Sequence, residues 1–420
     1  MLLPIILLSA AGFTILTTEF LIVGLLPPLA RDLQVTVSQA GLLVSLFAFT
    51  VAAAGPVLTA LLANLERKRL FVWVLVLFGL ANALAAVSPN IWVMAFARFV
   101  PALALPVFWS LASATAVELV GPAYAGRAIS IIGFGIVAAT VLGIPIGVLI
   151  SDAFGWRAAF AVLTAVAWAK ALLLLAYFPK PRTGRQNQRL STQLRILRDP
   201  RLLGHVMLSL LVFTGMFTAY TYLADMLERL AGFDGKVVGW TMMAFGGAGI
   251  LGNWLGGRLV DRSPLGATIL FSLIMTAGLL FVAQVMQAPY WLALALALWG
   301  VAQAALLTVC HVRVIKAAPQ APAFAASLNI SGANIGIGLG AAVGGHFIDS
   351  RGLASLGTVA AVIVLAAVGL AIALVLATRP SAPSLPSQHA GQLGGGGYPP
   401  TAPAGSCPIS NTLIVRETNR

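Results

Sequence analysis

LGIPIGVLISDAFGWRAAF, residues 142 to 160, holds the end of one apolar segment, a polar turn and the start of the next. Gly143 and Gly147 lie about one helical turn apart and allow close helix packing. Pro145 removes a backbone donor between them and tends to bend a helix. A bent, closely packed helix suits a gate, although packing alone also explains the motif, because small residues at this spacing are common in membrane bundles. The stretch predicts two consecutive membrane helices joined by a short turn.

Apolar segments of similar length recur along the whole chain. A hydrocarbon core about 30 Å thick needs roughly 20 apolar residues per helix. Twelve segments meet this requirement, numbered here as spans 1 to 12: residues 4–27, 40–62, 68–88, 91–118, 127–150, 157–178, 203–224, 237–257, 266–287, 290–311, 322–348 and 353–378. The sequence therefore predicts an all-α integral membrane protein of 12 transmembrane helices. Span 1 is too long for the apolar region of a secretory signal and contains Glu19, so we expect it to be retained.

The composition of the 420-residue chain indicates the same class, with 60% apolar and 9% charged residues. Soluble domains carry about a quarter charged residues. The net charge of +13 would also suit nucleic acid. Membrane proteins, however, concentrate Lys and Arg in cytoplasmic loops beside anionic lipids, so we expect lipid contact and no nucleic-acid partner. Cys310 and Cys407 are too few and too far apart for a disulfide framework or a metal cluster, and we expect no cofactor.

Basic residues are distributed unevenly between alternate loops. If the N-terminus is cytoplasmic, the inside loops and the tail hold eighteen Lys and Arg residues. The outside loops hold five: Arg31, Arg157, Arg229, Lys236 and Arg351. Because positive residues are retained on the cytoplasmic side, the pattern predicts that both termini are cytoplasmic. We expect the chain to lie in the inner (plasma) membrane of a bacterium.

The spans fall into two groups of six. Residues 179–202 are polar and basic, which predicts a cytoplasmic linker between an N-terminal bundle at 1–178 and a C-terminal bundle at 203–378. Residues 379–420 are rich in Pro, Ser and Gly and predict a disordered cytoplasmic tail.

Sliding the sequence against itself indicates that the two bundles are repeats. A shift of 197 residues aligns unusual residues in pairs: Asn64 with Asp261, Gly143 with Gly340, Gly147 with Gly344, Asp152 with Asp349, and Gly155 with Gly352. Parallel six-helix repeats around a midplane site are the construction of a rocking, alternating-access carrier.

Several motifs taken together resemble one family. The stretch at 142–160 is similar to an antiporter motif of helix 5 and the GWRxxF turn that follows it. Supporting segments are TTEFLIVGLLP in span 1, Arg98 in span 4, FTAYTYL at 217–223 and GRLVDR at 257–262. From Pro4 to about Thr378 the chain resembles the drug and metabolite proton antiporters of the major facilitator superfamily, and among them the bacterial arabinose-type sugar and nucleoside efflux permeases. The resemblance implies a secondary transporter that exports a small molecule in exchange for protons, and we expect it to act as a monomer.

The GRLVDR segment places charges at a helix end on the cytoplasmic side. In family members such charges latch the inward-closed state, which implies a gating role for Gly257, Asp261 and Arg262. The matching stretch of the first half departs from this pattern and retains a basic cluster: Arg67, Lys68 and Arg69. An ordinary cytoplasmic loop explains that cluster better than a latch does.

Glu19 and Arg98 are the candidate proton-coupling residues. A carboxylate inside an apolar helix is costly and indicates function by default. Glu19 lies about 12 Å below the outer end of span 1, and Arg98 lies at the same depth in span 4. A permanent ion pair that only fixes two helices is the alternative, but Met216 and Ala295 replace these residues at the repeat offset. For Lys170 in span 6, extension toward the inner headgroups is a simpler explanation than function.

Aromatic and amide side chains predict a modest, semi-polar substrate site. Each of them is individually more typical of packing or lipid contact. The candidates are Phe20, Trp109, Phe217, Tyr220, Trp299, Gln303 and Asn329. Relatives among the sugar exporters often have His where Leu105 stands, and this departure weakens the assignment to any particular sugar.

Other function classes fit the sequence less well. An enzyme is disfavoured because no nucleophile, base and orienting acid combine, and no P-loop indicates an ATP-driven pump. A channel would need a continuous polar pore. A proton symporter for uptake stays an alternative, as does a non-transporting membrane sensor or scaffold, although the latter has little reason to keep Glu19 with Arg98.

Overall fold

A computed structural model describes residues 2–62, 65–121, 124–179 and 199–378, and every regular element in these ranges is helical. Residues 180–198 of the predicted linker at 179–202, and the tail at 379–420, lie outside the described residues; the helix of span 7 begins at Pro200, inside the predicted linker. In the first half the helices are Leu2–Asp32, Val37–Leu62, Arg67–Ala86, Ile91–Val120, Ala125–Ala138 continued by Ile144–Phe154, and Trp156–Tyr177. In the second half they are Pro200–Tyr220 continued by Leu223–Arg229, Gly235–Arg262, Pro264–Val285, Pro289–Ala317, Pro322–Arg351 and Leu356–Thr378. The predicted all-α fold of 12 spans is confirmed.

Two of the spans are broken. In span 5 a π-helical stretch, Ala139–Gly143, joins the two helical parts. Pro145 follows directly and has no N–H to donate, so the backbone hydrogen-bond ladder is interrupted there. In span 7 the long helix ends at Tyr220, and Thr221 and Tyr222 form a turn before the short helix Leu223–Arg229.

Eleven of the described helices are long and apolar enough to cross a membrane. The exception is span 8, Gly235–Arg262, which contains eight glycines among its 28 residues. Glycine adds little hydropathy but lets neighbouring backbones approach closely. Span 8 packs closely on span 10 through this glycine face, where Gly252 and Gly256 lie against the backbone of Val301 and Ala305.

Helix ends follow the local sequence closely. Asn90 accepts hydrogen bonds from the N–H groups of Trp92 and Val93 and so caps span 4. Asp234 caps span 8 in the same way through Val237. Gly155 and Gly352 follow the C-terminal ends of spans 5 and 11. Each has a φ of 83°, a backbone conformation that favours glycine. These glycines are related by the repeat offset, and their equal geometry supports the internal repeat.

The two halves contact each other through three pairs of spans: span 2 with span 11, span 5 with span 8, and span 1 with the short helix of span 7. An ion pair between Arg31 and Glu228 joins positions 197 residues apart. The rings of Phe20 and Phe217, also separated by the repeat offset, have centroids 5.7 Å apart. Equivalent positions of two repeats meet only at the axis that relates them, so spans 1 and 7 cross at this axis.

One end of the bundle, which we call the sealed end, carries charged contacts between the halves; a further contact, from the Ser45 hydroxyl to the Gly338 carbonyl at 2.8 Å, lies deeper between spans 2 and 11. Besides the Arg31–Glu228 pair, Ser38 donates a 2.8 Å hydrogen bond to Asp349. The corresponding contact, at positions shifted by the repeat offset, is between the Asp152 carboxylate and Gly235. The two lie so close that a Cβ on Gly235 would overlap the carboxylate. Each carboxylate thus meets the N-terminus of a helix from the other half, where the helix dipole favours negative charge.

Candidate functional site

Arg98 is a buried cation in span 4, with 2% of its surface exposed. Its Nη1 and Nη2 donate to the backbone carbonyls of Thr18 and Glu19, each at 2.5 Å. Its guanidinium also lies 4.4 Å from the ring centre of Phe47. These contacts bring span 4 and span 2 onto span 1 at the level of Glu19.

Glu19 itself is buried, with 8% of its surface exposed. Among the described residues, no ion pair or hydrogen bond involves its carboxylate; Arg98 binds the backbone carbonyl of Glu19 instead. Asn82 donates a 3.0 Å hydrogen bond to the Thr18 hydroxyl from span 3, which adds a third anchor. Side chains of spans 3 and 4 therefore anchor the backbone around Glu19, and these contacts do not use its carboxylate.

The helix 5 motif packs span 5 against span 1. Gly143 lies against the Thr17 side chain and Gly147 against Leu21, and a Cβ at either glycine would overlap these neighbours. From the other half, a Cβ on Gly246 of span 8 would lie 2.9 Å from the Thr140 carbonyl oxygen. Span 5 is thus held between spans 1 and 8, with its π-helical break at the point of closest approach.

An aromatic row runs from span 1 across the second half. Ring-centroid distances are 5.7 Å for Phe20–Phe217, 5.5 Å for Phe217–Tyr220, 5.7 Å for Tyr220–Phe245 and 5.4 Å for Phe245–Trp299. At its far end the Trp299 indole donates a 2.9 Å hydrogen bond to Gln303. We call this set the aromatic row.

The aromatic row unites five of the seven predicted substrate-site residues. Trp109 packs instead against Phe108 and Gly12, inside the first half. Asn329 lies beside His311, with 3.5 Å between their side-chain nitrogens. Phe245 was missed, since a single Phe in a glycine-rich helix carries no distinguishing sequence pattern.

The predicted gating charges lie at the end of the bundle opposite the sealed end. Asp261 accepts a 2.8 Å hydrogen bond from Lys316 of its own half. Arg262 ends span 8, and a Cβ on Gly257 would meet nothing within 4 Å. In the first half, Arg69 pairs with Glu66 at 2.9 Å. Lys68 is half-buried and Arg67 is buried.

Three polar residues differ from the sequence expectations. Lys170 does not extend to the headgroups, because its Nζ donates to the Ala10 carbonyl at 2.8 Å and to the Thr14 hydroxyl at 2.6 Å. Arg313 is one of the eighteen bases that the sequence assigned to the inside loops and the tail, but it is buried in span 10. There it donates hydrogen bonds to the Thr268 hydroxyl at 2.7 Å, the Ser209 hydroxyl at 2.9 Å and the His205 backbone carbonyl at 3.0 Å.

The third is Asp225, a buried carboxylate within span 7. Glu19 is therefore not the only acid inside an apolar span. The sequence placed the end of span 7 at residue 224, one residue before Asp225, and so assigned this acid to a loop.

The chain matches a known protein family. The profile of the Major Facilitator Superfamily matches residues 8–321 and 231–411. The chain belongs to the major facilitator superfamily. Members of this family are membrane transporters and not enzymes.

Individual relatives cover most of the chain. It is 34% identical over 352 residues to the transporter YtbD of Bacillus subtilis, covering 82% of this chain and 88% of that protein. It is 31% identical over 361 residues to a probable sugar efflux transporter of Pasteurella multocida (85% and 88%). It is 29% identical over 347 residues to the inner membrane transport protein YdhP of Escherichia coli K12 (83% and 89%).

Solved structures share the fold. A bacterial homolog of the human lysosomal transporter Spinster, in an inward-facing conformation, aligns with a TM-score of 0.74 at 15% identity over 90% of this chain and 98% of that one. The nucleoside transporter NupG aligns with a TM-score of 0.71 at 16% identity over 90% and 99%. The chain is therefore a multi-pass membrane transporter of this fold.

Proposed function

We propose that the protein exports a small organic molecule, such as a sugar, a nucleoside or a drug-like compound, in exchange for protons. The observation that carries this proposal is the free carboxylate of Glu19 beside the anchored Arg98. Breaking a buried ion pair is strongly unfavourable. A buried acid without such a partner can gain or lose a proton without this cost. The sugar efflux transporter among the relatives agrees with the direction of transport.

The aromatic row supplies a surface for the substrate. Phe20 is the neighbour of Glu19 in the chain and begins the row. Flat, partly apolar molecules stack on aromatic faces, and the Tyr220 hydroxyl and Gln303 add polar groups. A substrate over Phe20 would lie one residue along span 1 from Glu19, so substrate binding and proton binding would act on the same part of this helix.

Alternating access requires the two halves to rock about the axis where spans 1 and 7 cross. We assign residues 1–178 and 203–378 to these halves. Gly143 and Gly147 hold span 5 against span 1 within the first half, and Gly239 and Gly246 of span 8 bring the second half against the same helix. This position of span 5 supports a gating role for Gly143, Pro145 and Gly147. The sealed end would then open while the opposite end closes.

We assign the sealed end to the outside of the inner membrane. The five predicted outer bases lie in loops and helix ends at this end, whereas the basic residues of the GRLVDR segment and the Arg67 cluster lie at the other. The distribution of positive charge supports cytoplasmic termini. The structure is then sealed to the outside, the conformation in which an exporter loads its cargo.

A flux assay with a panel of compounds tests the function. Proteoliposomes with an imposed pH gradient would be offered pentoses, hexoses, nucleosides and a lipophilic amine. We expect one class to be transported against its own gradient when the pH gradient is present, and only down its gradient when an ionophore collapses it. Failure of every class to respond to the pH gradient would refute proton-driven export.

Labelling tests the orientation. In a Cys310→Ala, Cys407→Ala background, Gln186→Cys in the predicted linker should react with an impermeant maleimide only after the cells are opened. Phe154→Cys, at an exposed position of the sealed end, should react in intact cells. The reverse accessibility would overturn the assignment.

The latch is tested by two substitutions that break the same surface ion pair. The Asp261→Asn variant should fold normally but transport several-fold more slowly. Asparagine lacks the negative charge that would hold closed the end opposite the sealed end. Lys316→Gln removes the Asp261–Lys316 pair, worth about 1 kcal/mol or less at the surface, but keeps the acid. We expect it to transport at the wild-type rate. Equal rates for the two variants would remove the latch role of Asp261.

A further inference from the structure

A cavity of about 490 Å³ opens at the sealed end, between the ends of spans 1, 2, 7 and 11. Two acids and two bases line it: Asp225, Asp349, Arg31 and Arg229. The side chains of Arg31 and Arg229 are 64% and 59% exposed, so the cavity is continuous with solvent. Asp349 is already bound by Ser38 from span 2.

Asp225 differs from the other charges of this cavity because its side chain is only 1% exposed. One carboxylate oxygen, Oδ2, lies 3.4 Å from Arg229 Nη1, a long contact. The other, Oδ1, is buried and has no hydrogen-bond partner in the described part of the chain. Leaving a buried charged oxygen without a hydrogen-bond partner is strongly unfavourable, and a proton on this carboxylate would remove its charge.

Asp225 also lies on the element that holds the seal. In the turn just before it, the Tyr222 hydroxyl donates a 2.7 Å hydrogen bond to the Ala341 carbonyl in span 11. The Tyr222 ring fits where Gly41 and Gly344 leave room, since a Cβ at either glycine would overlap it. One turn after Asp225, Glu228 pairs with Arg31 of span 1. A single short segment thus connects Asp225 to contacts with both halves.

The charges around Asp225 are mixed in sign. Arg229 and Glu228 share its segment, Arg31 faces it from span 1, and Asp349 of span 11 lines the same cavity. While Asp225 is ionised, it attracts Arg229 and Arg31 toward the short helix of span 7. When Asp225 binds a proton, this attraction is lost, and the segment that carries Glu228 is held less firmly in the sealed arrangement.

We propose that Asp225 is a second proton-binding site, reached from the outer side through this cavity, and that proton binding there opens the sealed end. This inference rests on the proposed exchange with protons and adds to it a site outside the Glu19 core. An outside-facing acid of this kind would make a carrier open outward only when an external proton is present. Asp225 would therefore limit opening of the sealed end when no proton is bound.

A distance measurement tests the proposal without substrate. Spin labels at Val87→Cys and Tyr290→Cys, exposed positions of the first and second half near the sealed end, report its opening in the Cys310→Ala, Cys407→Ala background. When the pH of the purified protein in lipid nanodiscs is lowered from about 8 to about 5, we expect the ratio of long to short distances to rise roughly tenfold, which corresponds to about 1.4 kcal/mol.

Asp225→Asn, which resembles the protonated acid, should show the long distance at every pH, and Asp225→Glu should restore the pH response. Asp234→Asn is the matched control, because it removes an acid of the same end while an asparagine still caps span 8. A wild-type response in Asp225→Asn, or a wild-type protein that does not respond to pH, would overturn the proposal. A response that disappears only in Glu19→Gln would assign the effect to Glu19 and also overturn it. Because the assay contains no substrate, its outcome is separate from that of the flux assay.

Discussion

Glu19→Gln should abolish transport driven by a pH gradient and spare exchange of substrate down its own gradient. Glutamine keeps the size of the side chain but cannot ionise, so the carrier would still change conformation without moving a proton. We expect pH-driven accumulation to fall to the level of empty liposomes, while substrate exchange stays within about threefold of wild type.

The matched control is Glu118→Gln, which removes an exposed acid from span 4. It should accumulate substrate as the wild type does. If Glu19→Gln still accumulates substrate in response to the pH gradient, the carboxylate of Glu19 is structural and the coupling site lies elsewhere.

Arg98→Ala should be the harsher change, because it affects both the fold and the coupling. The substitution removes two charge-assisted hydrogen bonds to span 1 and the contact with Phe47, together on the order of 3 kcal/mol. We expect a lower unfolding temperature in detergent and loss of both accumulation and exchange. Arg98→Lys keeps the charge, but one ammonium lacks the planar fork that reaches both carbonyls. It should be intermediate.

Arg258→Ala is the control for Arg98→Ala. Arg258 is exposed and lies 3.8 Å over the ring of Trp254, without a comparable set of backbone contacts. Its removal should change neither the unfolding temperature nor transport by much. Equal stability of Arg98→Ala and Arg258→Ala would contradict the anchoring role of Arg98.

The spans and the depth of the polar core were predictable because they depend on local quantities. Apolar length determines where a helix crosses the membrane, and the rise per residue determines depth. Glu19 and Arg98 could therefore be placed at one level from the sequence alone. The sequence did not predict that Arg98 binds the backbone of Glu19 and leaves the carboxylate free, because side-chain geometry depends on the packing of spans 1, 2 and 4.

The features that the sequence did not predict depend on contacts far apart in the chain. The turn at Thr221 and Tyr222 contains no Pro or Gly, and the space for Tyr222 comes from Gly41 and Gly344 in two other spans. Because span 7 resumes after this turn, Asp225 lies within it. Arg313 lies beyond the predicted end of span 10, yet hydroxyls of spans 7 and 9 accept hydrogen bonds from it inside the bundle.

The central claim is exchange of a small molecule for protons, and the direction of proton movement tests it most directly. Wild-type proteoliposomes containing a pH-sensitive dye, with no initial pH gradient, would receive on one side a compound that the flux panel has identified. We predict that protons move opposite to the compound, that the movement disappears in Glu19→Gln, and that it persists in Glu118→Gln. Proton movement in the same direction as the compound, or transport of the compound with no proton movement, would contradict the account.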